Sequence, residues 1–174
     1  MLPSQHDHGT SPIDVQRNML EPPEPVPDAD SVAPALADLL TRARTAGATI
    51  VHVRNNGGAD DPDLPGSRGW ELVHEPFPEE HVIDKFSQDS FAGTGLGELI
   101  PAGTALIVAG MQSDYCVRTT SLAALARGHR VTVARGAHAT YPGEQPAAEV
   151  SAAVERELAA AGATVVPSGE ITFG

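Results

Sequence analysis

The sequence predicts an α/β domain in which helices cover both faces of a mostly parallel sheet. Short apolar or β-branched runs of strand length, such as residues 49–53 and 105–109, alternate with amphipathic segments of helical period along the whole chain. The 174 residues suit one domain of ordinary size and contain neither internal repeats nor a domain linker. Alternating strands and helices within one domain predict a three-layer α/β/α sandwich, Rossmann-like, around about six strands.

The first half of the chain predicts two strands, one helix and a long loop. Residues 13–16 alternate briefly between apolar and polar, and the proline-rich residues 21–28 form a stiff extended connection. Asp30 or Ser31 caps a helix that ends at Gly47, and the β-branched residues 49–53 follow as a buried strand. A loop rich in Gly, Asp and Pro then covers residues 55–69 and leads into a short extended piece at 70–74.

The second half alternates more regularly. Strands are predicted at residues 82–83, 105–109, 131–134 and 163–166. Helical turns are predicted at 94–100, and helices at 117–127 and 146–161, which end at Gly128 and Gly162.

Composition narrows the class of protein. A net charge of −12 and a pI near 4.8 argue against nucleic acid or an anionic membrane surface as a partner. One cysteine excludes an internal disulfide framework and fits a reducing compartment. No apolar run reaches membrane-spanning length, and the N-terminus lacks the features of a signal peptide. The sequence therefore predicts a cytoplasmic protein.

The single cysteine, Cys116, is predicted at the carboxyl end of a strand and in the first turn of the next helix. Open α/β sheets bind their ligands at that edge. Backbone N–H groups and the helix dipole favour a negative charge there, so we expect a lowered pKa for the thiol. A buried structural cysteine is the competing interpretation, and local position alone does not decide between the two.

Two charged residues follow other predicted strands. Asp14 comes after the first candidate strand, and Lys85 comes after residues 82–83. The carboxyl ends of parallel strands meet at one sheet edge, so Asp14, Lys85 and Cys116 can converge there. An activated thiol needs a proton acceptor and a cation, which these residues supply. Either charged residue alone is more commonly solvated.

Three segments together resemble the isochorismatase-like cysteine hydrolases: IDVQRNML, DKFSQDSFAGTGL and AGMQSDYCVRTTSLAALARGHRVTVARGAHAT. The resemblance extends from about residue 13 to the end of the chain. It implies a catalytic triad of Asp14, Lys85 and Cys116, with Asp14 as the general base. It also implies an oxyanion hole formed by the backbone N–H groups of Gln112 and Cys116, with a cis peptide bond between Met111 and Gln112.

Two features depart from the family pattern. The strand before the aspartate normally has four or five apolar residues, whereas residues 6–12 here are polar and include Pro12. The domain is therefore predicted to span 13–174 after a disordered or irregular segment at 1–12. The nicotinamidase-like metal site is also missing from the pattern, because His52 and Arg54 stand without a cluster of ligands. No metal and no cofactor are predicted, and His74 and His81 are interpreted as surface residues.

The resemblance favours hydrolysis of a small-molecule amide, lactam or related C–N bond. The alternatives are vinyl-ether cleavage of the isochorismatase type, which does not need the nucleophile, and a catalytically silent binding protein or scaffold. Opening of a streptothricin lactam is compatible with the Ala-, Arg- and Gly-rich composition, although no residue supports it. The family also implies a homodimer or higher oligomer, with the loop at residues 55–70 near the interface. The substrate pocket is predicted from four aromatic residues: Trp70, Phe86, Phe91 and Tyr115.

Overall fold

The computed structural model describes residues 8–174. Its centre is a six-stranded sheet of parallel strands in the order β3-β2-β1-β4-β5-β6, which confirms the predicted fold class. The strands are β1 (His8–Ile13), β2 (Thr49–Asn55), β3 (His81–Lys85), β4 (Ala105–Met111), β5 (Arg130–Ala139) and β6 (Thr164–Pro167). The helices are α1 (Arg17–Leu20), α2 (Ala29–Thr45), α3 (Leu96–Leu99), α4 (Arg118–Ala126) and α5 (Ala147–Ala160).

Two apolar layers cover the sheet, one on each face. Successive residues of β4 point to opposite faces, so Leu106 and Val108 pack in one layer and Ile107 and Ala109 in the other. Residues of α3, α4 and α5 share the first layer, and residues of α2 share the second. The chain is thus the three-layer sandwich that the alternation of elements predicts.

Strand order places a ligand crevice at the centre of the sheet. The chain builds β1, β2 and β3 in one direction and then crosses to β4 on the other side of β1. Between β1 and β4 the direction of winding reverses, and open α/β sheets bind ligands at the carboxyl ends of strands beside such a point. Asp14 follows β1 and Cys116 follows β4, so both lie at this position.

The first strand corrects one prediction. The sequence predicts a disordered or irregular segment at residues 1–12. This prediction is wrong for residues 8–12, because His8–Ile13 form β1 in the middle of the sheet. Residues 1–7 lie outside the described part of the chain. Small residues suit the tight space, since a Cβ on Gly9 would lie 2.9 Å from Ile100 Cδ1. Pro12 is tolerated because the pairing of β1 with β2 omits residues 11 and 12, whereas β4 pairs along the whole strand.

Other boundaries shift by a few residues. Helix α2 begins at Ala29, slightly before the predicted caps, and the predicted extended piece at 70–74 is reduced to an isolated bridge between Gln16 and Leu72. A single π-helical turn, Ser113–Val117, precedes α4. No helix in residues 8–174 has the length and apolarity needed to cross a membrane.

Strand β5 is ten residues long, although residues 131–134 alone were predicted. Its pairing with β4 shifts, because Val108 lies opposite Val133 while Gly110 lies opposite His138. This irregularity redirects the end of β5, as bulges do, and interrupts the alternation from which a strand is recognised in sequence. The extension matters because it brings His138 and Thr140 against the turn that carries Cys116.

Candidate active site

The three residues at the carboxyl ends of β1, β3 and β4 lie in direct contact. Lys85 Nζ lies 3.1 Å from Asp14 Oδ2 and 3.2 Å from Cys116 Sγ. The same ammonium donates to Asn55 Oδ1 at 3.1 Å, so its three donors have three partners. Lys85 is fully buried, and a buried ammonium is stable only when it is paired in this way. The sequence prediction that these three side chains converge is confirmed.

The carboxylate of Asp14 is less completely hydrogen-bonded than the ammonium of Lys85. Its residue is 2% exposed, and its Oδ1 accepts no hydrogen bond of regular geometry from the described residues. The carboxylate also interacts with the thiol of Cys116, which lowers its pKa. A buried carboxylate oxygen without a fixed donor, beside a thiol, is a natural acceptor for the thiol proton.

Burial is the largest influence on the pKa values of Asp14 and Cys116. Burial raises the pKa of Asp14 from 3.8 to about 6 against the opposing charge of Lys85. Burial, and then the negative charge of Asp14, raise the pKa of the Cys116 thiol to about 12. The expectation of a lowered thiol pKa from the helix terminus is therefore wrong for the free protein. At neutral pH the pair is a thiol beside a carboxylate, in which the carboxylate is the base.

Local backbone geometry sets the position of Asp14. Its φ is 49°, in the left-handed region that aspartate tolerates better than most residues, and its N–H donates to the carbonyl of Val53 at 2.8 Å. Gly110 permits β4 to approach, because a Cβ there would meet the carbonyl oxygen of Ile13 at 2.0 Å. The turn that follows β1 is thereby held close to the strand that leads to Cys116.

We name the turn that carries the candidate nucleophile, Cys116, the nucleophile turn; it consists of Gln112 and the π-helical turn Ser113–Val117. The peptide bond between Met111 and Gln112 is cis, as predicted from the family resemblance. The carbonyl of Gln112 accepts from the N–H groups of Tyr115 at 3.2 Å and Val117 at 3.1 Å. Thr140, just beyond β5, donates to Asp114 Oδ1 at 2.6 Å and ties the turn to the sheet.

A cavity of about 350 Å³ lies over Cys116. Two of the four predicted pocket aromatics line it, Phe86 and Tyr115, and both are exposed, Phe86 at 82%. Phe91 does not line it, because its ring is buried in the core and stacks on His129 at 5.7 Å between centroids. Trp70 is also absent from the lining, since its ring lies under the guanidinium of Arg54.

A second cavity of about 420 Å³ adjoins the first. Met19 and Gln112 line both, so the two spaces meet beside the nucleophile turn. Tyr141 closes part of the second cavity, and its hydroxyl donates to the carbonyl of Glu24 at 2.5 Å. The site therefore offers more room than the space over Cys116 alone.

His52 lies within β2 and pairs with a carboxylate. His52 Nε2 lies 2.6 Å from Glu80 Oε2, and Arg44 pairs with the same carboxylate. His81 is exposed as predicted, but His74 is half-buried. Within residues 8–174, no group of three or more His, Cys, Asp or Glu side chains is arranged to hold a metal ion.

Sequence reasoning missed two polar residues beside the cluster of Asp14, Lys85 and Cys116. Asn55 bonds Lys85 from the end of β2, and its Nδ2 donates to Asp63 Oδ2 at 2.7 Å. Asp63 is 7% exposed, although it lies in the loop predicted at residues 55–69. The usable signal was position: Asn55 directly follows a predicted strand, as the other site residues do.

The chain resembles known proteins in sequence. A family model, the isochorismatase domain, matches residues 12–168. A streptothricin hydrolase from Streptomyces noursei is 48% identical over 133 residues, which are 74% of this chain and 53% of that protein. The chain thus spans about half the length of the streptothricin hydrolase. A secreted isochorismatase effector, Isc1, from Verticillium dahliae is 31% identical over 166 residues, 91% of this chain and 87% of that one.

Solved structures share the fold. A crystal structure of an isochorismatase from Pseudomonas putida superposes with a TM-score of 0.88 at 28% identity. The match covers 98% of this chain and 92% of the other.

Proposed function

Because the chain belongs to the isochorismatase family of hydrolases, we propose that it cleaves the C–N bond of a small-molecule amide or lactam through a cysteine thioester. The observation that carries this proposal is the position of Lys85 Nζ, 3.1 Å from the Asp14 carboxylate and 3.2 Å from Cys116 Sγ. A nucleophile, a base and a cation in mutual contact are the components of covalent acyl transfer.

In the first half-reaction, Asp14 takes the proton of Cys116 while Sγ attacks the carbonyl carbon of the substrate. Lys85 stabilises the negative charge as it moves from carboxylate to sulfur. The tetrahedral adduct collapses, the C–N bond breaks, and Asp14 gives its proton to the departing nitrogen. The product still attached to the enzyme is a thioester on Cys116.

In the second half-reaction, water replaces the amine. Asp14 takes a proton from the water as the water oxygen attacks the thioester carbonyl. The C–S bond then breaks, Asp14 returns that proton to the departing Sγ, and the acid is released from the free thiol. Each oxyanion needs donors, for which we propose the backbone N–H groups of Gln112 and Cys116. The position of both residues on the wall of the cavity supports this assignment.

Cavity size supports a substrate with more than one part. The space over Cys116 is near the lower end of ligand-pocket volumes, and the adjoining cavity more than doubles it. The 48% identity to a streptothricin hydrolase makes a streptothricin lactam the first substrate to test. We propose that the scissile bond lies at Cys116 and that the remote part of the molecule extends past Gln112.

The test measures ring opening or ammonia release on streptothricin, small lactams, primary amides and ureas. Wild-type protein is compared with Cys116→Ser, and intact-protein mass spectrometry seeks the acyl adduct after rapid quenching. Turnover by the wild type together with a thioester mass on Cys116 supports the proposal. Turnover that persists in Cys116→Ser contradicts it.

Vinyl-ether cleavage is the second candidate, favoured by the 28% identity to a protein described as an isochorismatase. Isochorismate is therefore included in the panel. Cleavage of isochorismate by Cys116→Ala at the wild-type rate would assign this reaction in place of amide hydrolysis.

We further infer a homodimer or higher oligomer in the cytoplasm. Exposed apolar side chains support the assembly, among them Phe86 beside the cavity and Leu64 in the loop at 55–70. The single cysteine supports a reducing compartment. A monomer by light scattering at micromolar concentration would contradict the assembly, and fractionation of the native host would test the compartment.

A further inference from the structure

A second polar cluster lies on the other side of the nucleophile turn; its Ser113 and His138 are buried and its Glu155 is half-buried. Ser113 Oγ lies 2.7 Å from His138 Nδ1, and His138 Nε2 lies 3.0 Å from Glu155 Oε1. Ser151 Oγ lies 2.9 Å from Ser113 Oγ, and Arg135 Nε donates to Glu155 Oε2 at 2.9 Å. Hydroxyl, imidazole and carboxylate thus form a continuous chain from the turn, through β5, to helix α5.

This serine, histidine and glutamate do not form a second hydrolytic site. Ser113 is 0% exposed and does not line the cavity over Cys116, so a substrate carbonyl cannot reach its oxygen. Its hydroxyl is also committed to two partners at hydrogen-bond distance. The cluster has the residue types of a serine triad without the access that one requires.

What the cluster can do is fix the turn. Ser113 is the first residue of the π-helical turn and follows Gln112 directly, while Cys116 lies three residues further on in the same turn. His138 belongs to the sheet, and Glu155 belongs to α5. A rotation of the turn about its axis would move Sγ away from Lys85 and would break the bond between Ser113 and His138.

The charge state of the cluster favours one arrangement. Burial acts to raise the pKa of Glu155, but the hydrogen bonds from His138 and Arg135 hold it below its usual value. An ionised Glu155 accepts from the Nε2–H of His138 and orients the ring, so that Nδ1 faces Ser113. Glu155 of α5 thus sets the orientation of the His138 imidazole, and the imidazole holds the turn through its hydrogen bond with the hydroxyl of Ser113.

We infer that Ser113, His138 and Glu155 are positioning residues that set the distance between Cys116 Sγ and Lys85 Nζ by anchoring the nucleophile turn to β5 and α5. Kinetic readout of this inference rests on the proposed function, whereas reactivity of the thiol does not. Misplacing a nucleophile by about 1 Å can cost on the order of a hundredfold in rate. The effect should fall on the chemical step more than on substrate binding.

The experiment compares Ser113→Ala with Arg118→Ala as a matched control. Arg118 pairs with Glu157 and so joins the start of α4 to α5 on the surface, without touching the cluster. Three quantities are measured for each variant: kcat and KM, the rate of Cys116 alkylation by iodoacetamide between pH 6 and 10, and the melting temperature.

For Ser113→Ala we expect kcat to fall about 10- to 100-fold with KM within about threefold of the wild type. We expect alkylation to slow by about tenfold at pH 8, the effect of one unit in the thiol pKa. Arg118→Ala should match the wild type in both. Wild-type kcat and alkylation in a folded Ser113→Ala variant would overturn the inference, as would turnover by Cys116→Ala that depends on Ser113.

A second variant serves if Ser113→Ala does not fold. His138 lines a surface cavity of about 560 Å³ between β5 and α5, so His138→Ala leaves space that imidazole can enter. Alkylation that slows in His138→Ala and recovers with added imidazole supports the inference, and wild-type alkylation without imidazole overturns it. Loss of the proposed function is separate, since it would appear as a wild type that turns over no substrate while these alkylation differences persist.

Discussion

Two polar clusters lie on opposite sides of one turn, and they differ in access and in satisfaction. In the cluster of Asp14, Lys85 and Cys116, the thiol faces a cavity and one carboxylate oxygen has no regular partner. In the second cluster His138 and Glu155 line a surface cavity, but the hydroxyl of Ser113 is 0% exposed. In the cluster of Ser113, His138 and Glu155, each side-chain polar atom has a partner within 3.0 Å.

The comparison separates reactivity from residue type. Serine, histidine and glutamate are familiar catalytic residues, yet here the buried hydroxyl of Ser113 and the complete hydrogen bonding of all three side chains suit them to holding the turn in place. Asp14, Lys85 and Cys116 keep an unsatisfied acceptor, a buried cation and an accessible thiol, which are what the proposed proton transfer from Cys116 to Asp14 requires. A catalytic assignment therefore depends on what a side chain can still accept or donate.

Replacement of Cys116 should give the largest effect. Cys116→Ser is expected to lower turnover by at least about 10⁴-fold, because a serine of ordinary pKa is a poor nucleophile in this setting. Ser113→Ala should lose far less, which sharpens the contrast between the clusters. The measurement is turnover on the best substrate of the panel, with circular dichroism to check the fold. Equal losses in the two variants would remove the distinction.

Lys85→Met should have the next largest effect. It removes the cation between Asp14 and Cys116, so we expect turnover to fall about 10³-fold and the thiol pKa to rise further. Loss of a buried partner should also cost about 3–5 kcal/mol in the free energy of unfolding, whereas Arg118→Ala, in an exposed pair, should cost less than about 1 kcal/mol. Turnover, alkylation against pH and denaturant unfolding measure the three effects. An alkylation profile identical to that of the wild type would end the assignment of Lys85.

Much of this site could be predicted from sequence because its residues stand at the carboxyl ends of strands or in the turns that follow them. Lys85 and Cys116 follow recognisable apolar runs, and a parallel sheet brings such positions to one edge. Strand β1 could not be recognised, because its buried residues include Gly9, Thr10 and Ser11. The position of β1 depends on neighbouring strands and on Ile100, which packs against Gly9. Such long-range contacts produce no periodic pattern in the local sequence.

The second cluster and the raised pKa of the Cys116 thiol could not be predicted from the sequence, for a different reason. His138 is opposite Gly110 because of an irregularity in β5, and no local pattern reports a shift between two strands. The pKa of Cys116 depends on how deeply it is buried beside Asp14, which outweighs the helix terminus. Phe91 was misassigned because an aromatic in a loop can turn into the core as readily as towards a cavity.

Activity should fall at low pH as Asp14 of the first cluster takes up a proton. Asp14 must be ionised to act as base, and its pKa is about 6, so kcat/KM should fall about tenfold for each pH unit below 6. The same raised pKa means that the folded protein binds this proton more tightly than the unfolded chain does. The contribution of Asp14 to stability is therefore full below about pH 4 and is lost as pH rises through about 6.

A matched variant tests whether Asp14 causes the acidic limb of the pH profile, that is, the fall in kcat/KM below about pH 6. The pKa of Glu155 lies below its usual value, so Glu155→Gln should lower kcat without moving the limb. The measurement is kcat/KM from pH 4.5 to 8.5 for both proteins. A limb that shifts in Glu155→Gln would show that the second cluster titrates with the first.

The smallest expected effect concerns the hydroxyl groups of Thr10 and Ser11 in β1 and that of Ser151 beside the second cluster. Thr10 and Ser11 in β1 carry buried hydroxyl oxygens without hydrogen-bond partners in the described structure, whereas Ser151 bonds Ser113. An unpaired buried hydroxyl costs about 1–3 kcal/mol, so Thr10→Val, which keeps the shape, should leave the free energy of unfolding unchanged or raise it by about 1 kcal/mol. Ser151→Ala removes a formed bond and should lower it by about 1 kcal/mol. Urea unfolding at pH 7 measures both, and a Thr10→Val variant less stable than Ser151→Ala would mean that the hydroxyls of β1 are satisfied in solution.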